Sequence, residues 1–158
     1  MDNILDQVLE TWHTNNRINL LLIDAISDEG MACTLSKRGG RNVLRQWAHL
    51  HNVRVWHLES RARDLAEGLH KFETDDEPER DLLKACLISS ADRVADYLGR
   101  GITGEGKSRH FKKGVVATLG YFINHEAHHR GSILLTLKTC GHPLDRTTLY
   151  SMYDWDKV

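Results

Sequence analysis

The sequence predicts an all-α protein, a four-helix bundle with one long crossover before its last helix. Three observations predict it. Apolar residues recur at threes and fours along four separate stretches, the period of a helix that buries one face. Pro78 and Pro143 are the only prolines, so long runs contain nothing that forbids helix. Hydrophobic residues make up 41% and charged residues 27% of the chain, the range of a polypeptide that folds around a core. The length of 158 residues suits a single domain covering 1–158.

The first helix is expected from about Asp2 to Ile26, where Ile4, Leu5, Val8, Leu9, Trp12, Leu20, Ile23 and Ile26 repeat and polar Asn15, Asn16 and Arg17 interrupt the middle. Asp28, Gly30, Gly39 and Gly40 make Ser27 to Gly40 a connecting loop, with Met31 to Leu35 as a candidate extended segment. Asn42 suits the N-cap of a second helix running to about Leu69 through Val43, Leu44, Trp47, Leu50, Val53, Leu58, Ala62 and Leu65. After acidic residues 70–79, Pro78 suits the first turn of a third helix that carries Leu82, Leu83, Cys86, Leu87, Val94, Tyr97 and Leu98 and closes near Gly99. Gly99 to Gly114 holds five glycines and six basic side chains and forms the crossover. The fourth helix runs from Val115 to Cys140, stopped by Gly141 with Pro143 just beyond.

Lys plus Arg (21) nearly balance Asp plus Glu (22), which speaks against a nucleic-acid partner. The basic stretch Lys107 to Lys113 reads as a solvated loop. Cys33, Cys86 and Cys140 are odd in number, far apart and without a CxxC pair, so neither a disulfide framework nor a thiolate zinc site is expected. No basic leader with an apolar core and no apolar run of membrane-spanning length occurs. The expected location is cytoplasmic, with no membrane partner.

Ten histidines carry the chemistry of interest. His125 and His129 sit four apart on the fourth helix, about 40° in azimuth and about 6 Å in rise from one another, so both imidazoles can reach one metal ion. His128 points away from the apolar stripe. Glu126 falls within that stripe, where a carboxylate needs a cation or a ligand histidine to pair with. It is the candidate catalytic residue, as an orienting group or proton acceptor, with Arg54 or Arg130 as charge partner. A further ligand should come from a facing helix. His49, His51 and His57 lie on the second helix, and only one of them can enter a given site. His49, in the turn after Trp47, is the choice. Trp12, Trp47, Trp56 and Trp155 read as core aromatics, with the lining of a pocket as their alternative role.

Gln46-Trp47-Ala48-His49-Leu50-His51-Asn52-Val53-Arg54, His125-Glu126-Ala127-His128-His129-Arg130-Gly131 and the closing Tyr150 to Trp155 together resemble the DinB family of bacterial metalloenzymes. The resemblance covers nearly the whole chain, and the family's pattern of one histidine on the second helix and an HxxxH pair on the last carries over to His49, His125 and His129. It implies a DinB-like four-helix bundle, a divalent metal such as zinc or nickel, and a homodimer. Related members resemble thiol-dependent transferases and isomerases, which implies a low-molecular-weight thiol as a further cofactor.

His125-Glu126-Ala127-His128-His129 also satisfies the HExxH of zinc metalloproteases. The extended form fails, because no histidine follows at the required spacing and no glutamate occurs after Glu126. Three neutral imidazoles leave coordination positions open. Such a site can activate water for hydrolysis or hold a thiol as thiolate for transfer to a small electrophile. The expected function is thus a metal-dependent hydrolase or thiol transferase acting on a small molecule. The alternative is a non-catalytic metal-binding stress or interaction bundle.

Overall fold

The computed structural model describes residues 3–158, and its regular structure is entirely helical. Four long helices, α1 (Ile4–Ala25), α3 (Val43–Arg61), α5 (Arg80–Thr103) and α6 (Val115–Thr139), are joined by short α2 (Asp28–Met31) and α4 (Arg63–Ala66) and followed by α7 (Arg146–Ser151). α5 and α6 each pack on both α1 and α3. The expected start at Asp2 and the first two residues of the 1–158 domain lie outside the described residues.

Local chemistry sets the ends of these helices. Asn3 caps α1 by accepting from the Asp6 N–H, and Asn42 caps α3 as expected, accepting from Arg45. α6 ends in a Schellman arrangement, with the His142 N–H donating to the Leu137 carbonyl and Gly141 at φ 85°.

Three boundaries differ from the sequence reading. The second helix does not run to Leu69. It breaks at Ala62 (φ −153°, ψ 64°), and α4 follows. Leu58 and Leu65 are buried on either side of the break and Ala62 at it, so the apolar phase continues while the backbone does not. The third helix starts at Arg80, past Pro78, and continues through Gly99 and Gly101 to Thr103, where Gly104 closes it at φ 74°. The crossover is therefore residues 104–114, held to the end of α3 by the Arg109 N–H donating to the Arg61 carbonyl. Within the first loop, Ser27 caps the one-turn α2 ahead of the candidate extended segment, and Met31 to Leu35 forms no strand.

The core has two parts. One gathers Leu22, Trp47, Leu50, Leu87, Ile133 and Leu137, the other Trp12, Leu58, Val94, Tyr97, Leu98 and Phe122. Trp12 and Trp47 are core residues, whereas Trp56 (46% exposed) and Trp155 (42% exposed) are not. His57 lies at the edge of the second part, its ring 4.7 Å from that of Phe122 and 5.5 Å from those of Tyr97 and Tyr121. Burial, reinforced by the charge of Arg61, pushes its pKa from 6.5 down to about 4.

A ring held neutral in the fold but free to protonate when unfolded stabilises the protein fully above pH 6.5, and the contribution is lost as the pH falls toward about 4. Urea unfolding across that window should lose on the order of 2 kcal/mol to this residue, partial exposure having screened the remainder. His57→Phe should flatten the acid limb, and a limb of unchanged slope would contradict the buried neutral ring.

Candidate metal centre

α3 and α6 are packed neighbours, and their contact brings His49 together with His125 and His129. The ring centroids are 5.0 Å apart for His49 and His129, 4.6 Å for His125 and His129, and 6.0 Å for His49 and His125. One nitrogen from each ring lies within 4.8 Å of the others. All three side chains are half-buried. Burial pushes the pKa values of His49 and His129 down to about 4 and lowers that of His125, with Arg41 adding to the effect on His49 and His129. The rings are thus neutral, the form that binds metal.

None of the three rings hydrogen-bonds to protein among the described residues, and Nδ1 of His49 is buried without a partner. A buried polar atom left in this state is costly unless something else satisfies it. His51 shows the contrast. It is fully buried, but Nδ1 lies 3.0 Å from the Ser90 hydroxyl and Nε2 lies 2.8 Å from the His70 carbonyl oxygen. It is a satisfied core histidine. His128 is exposed, as its azimuth predicted.

Glu126 is 1% exposed, within a polar cluster that joins all four long helices. Arg54 of α3 grips its carboxylate with both arms, Nε to Oε1 at 2.7 Å and Nη2 to Oε2 at 3.0 Å. Asn15 and Asn19 of α1 donate to Oε2 at 2.7 Å each, and their carbonyl oxygens accept from Arg130. Arg54 Nη1 in turn donates to Asn16 and to the Leu87 carbonyl of α5. Burial raises the carboxyl pKa, but the charge and hydrogen bonds of Arg54 outweigh it, so the net shift is downward and the group is ionised. No hydrogen bond joins Glu126 to the three histidines among the described residues. Both charge partners named from the sequence are present, Arg54 directly and Arg130 through the two asparagines.

Two cavities flank the trio. One of about 270 Å³ is lined by His49, Trp56, Asn52, Arg45, Lys71 and Phe72 among others. The other, of about 320 Å³, lies on the His129 side with Gln46 and Thr136. Arg41 lines both. Sequence reasoning missed Arg41 and Gln46, because a loop cation and a single polar residue in an apolar repeat carry no periodic signal. It also read Asn15 and Asn16 as an interruption of α1, although three polar residues inside an apolar stripe, with Asn19 one turn on, mark a buried network.

The DinB family model matches residues 1–156 of the chain. Neither a curated protein nor a solved structure matches it.

Removing one partner of a buried ion pair strands the other. Arg54→Met should therefore cost about 3–5 kcal/mol in urea unfolding. The double change Arg54→Met with Glu126→Leu, which removes both charges, should recover much of that loss. A single variant no less stable than the double one would contradict the pairing.

Proposed function

Because the chain belongs to the DinB family, we propose that it is a divalent-metal-dependent enzyme with His49, His125 and His129 as the metal ligands. One observation carries the reading. Three neutral imidazoles from two helices converge with their nitrogens unclaimed by protein, whereas the core histidine His51 has both nitrogens satisfied. Imidazole nitrogens around one ion lie about 3.3 Å apart, so small ring rotations close the observed span. An all-imidazole set suits zinc or nickel.

The ion, when bound, supplies Lewis acidity for hydrolysis or for holding a low-molecular-weight thiol in its reactive form. The protein's own residues do the rest of the work. α3 and α6 hold the three rings on one side, which leaves the other side to a small-molecule substrate in the flanking cavities. We assign Glu126 as a positioning residue. With both oxygens engaged by Arg54, Asn15 and Asn19, it fixes the turn of α6 that carries His125 and His129. The homodimer implied by the family belongs to the same proposal. So does a cytoplasmic location, which suits a chain whose cysteines are free. No helix among the described residues is long and apolar enough to cross a membrane.

Metal analysis of the purified protein should find close to one divalent ion per chain. His125→Ala or His129→Ala should remove it, while His128→Ala should keep it. Retention of metal by both of the first two variants would overturn the ligand assignment. Turnover of small electrophiles, with and without added thiols, should be lost in His49→Ala. Metal-loaded protein that turns over none of them would favour the non-catalytic bundle.

A further inference from the structure

The cavity on the His129 side has the makings of a subsite. Gln46 is only 9% exposed, lines that cavity, and its side-chain amide has no hydrogen-bond partner among the described residues. It sits on α3 one turn before His49, so it faces the same side of the helix. Arg41 is the second element. Its guanidinium makes no ion pair or hydrogen bond among the described residues, and it lines the cavities on both sides of the trio, with His49 in one and His129 in the other. The loop that carries it is closed by two hydrogen bonds, the Thr34 hydroxyl donating to the Arg41 carbonyl at 3.2 Å and the Val43 N–H donating to the Cys33 carbonyl at 2.9 Å.

The charges around Arg41 are not symmetric. The cavity on the His49 side also contains Glu73 and Asp76, and its other cations have partners, Arg45 with Glu77 and Lys71 with Glu59. On the His129 side the lining includes no Asp or Glu. The acid-free lining makes the second cavity the better place for an anion. One guanidinium and one neutral amide balance a single negative charge, and the planar fork of arginine matches a carboxylate. A phosphate dianion would retain uncompensated charge there.

We infer that Arg41 and Gln46 form a carboxylate-binding subsite beside His129, so that the substrate is a small molecule with a single carboxylate anchored next to the three histidines. Arg41 takes the carboxylate in its fork, and the Gln46 amide donates to one of its oxygens. The inference deepens the proposed function and rests on it for the identity of the neighbouring reaction centre. The subsite itself exists with or without metal.

Calorimetric titration of the protein, metal-free and metal-loaded, with propionate, propionamide and inorganic phosphate tests the inference. Propionate should bind the metal-free protein, and the amide and phosphate should bind at least tenfold more weakly. Arg41→Gln should weaken propionate at least tenfold and Gln46→Leu severalfold, with metal content unchanged in both. Arg38→Gln, a cation of the same loop outside the cavity, should bind propionate as the native protein does. Equal affinity for acid and amide, tighter binding of phosphate, no binding of propionate at tens of millimolar, or an Arg41→Gln variant indistinguishable from the native protein would each overturn the subsite. Failure to take up metal would instead defeat the proposed function, because the metal-free arm is read separately.

Discussion

The buried ion pair of Arg54 and Glu126 is the constraint on which the rest of the arrangement depends. A carboxylate and a guanidinium, each about 1% exposed, carry a large desolvation cost, and only near-ideal geometry with every remaining donor and acceptor paired offsets it. Here the pairing is dense. Asn15 and Asn19 each donate to Glu126 and accept from Arg130, and Arg54 reaches on to Asn16 and the Leu87 carbonyl. A rotation of α6 or a slide of α3 would break several of these bonds at once, so the cluster fixes the relative register of the four long helices more tightly than apolar packing alone.

That register has a direct consequence at the histidines. His125 immediately precedes Glu126 and His129 precedes Arg130, while His49 lies five residues before Arg54 on α3. Residues in the polar cluster thus alternate in sequence with residues of the trio. Fixing the first set in the core turns the second outward to the half-buried edge, where the two cavities open. The interior of the bundle orders the rings, and the rings themselves remain accessible.

Much of this was legible in the residues, and for identifiable reasons. The four helical stripes, the Asn42 cap and the Gly141 stop follow from periodicity and from local hydrogen-bonding chemistry, which depend only on neighbours in sequence. The i, i+4 spacing of His125 and His129 and the core azimuth of Glu126 are equally local. The break at Ala62 was not legible, because the apolar phase runs through it, and the crossover residue that bonds the Arg61 carbonyl beside the break lies 48 residues away. Likewise α5 outran its expected end at Gly99, since two glycines inside a helix are tolerated where packing supports them. The partners of Glu126 on α1 lie 107 and 111 residues away, a separation that helical periodicity does not address. His49 was the choice over His51 and His57 for its place in the turn after Trp47, and the structure puts the three in different surroundings, His49 beside His125 and His129, His51 in the satisfied core and His57 at the aromatic edge.

The most direct test of the account is anomalous diffraction at the metal absorption edge from crystals of the zinc- or nickel-loaded protein. The account predicts one strong peak within coordination distance of nitrogens from His49, His125 and His129. A peak elsewhere, or none between these rings at full metal loading, would contradict it.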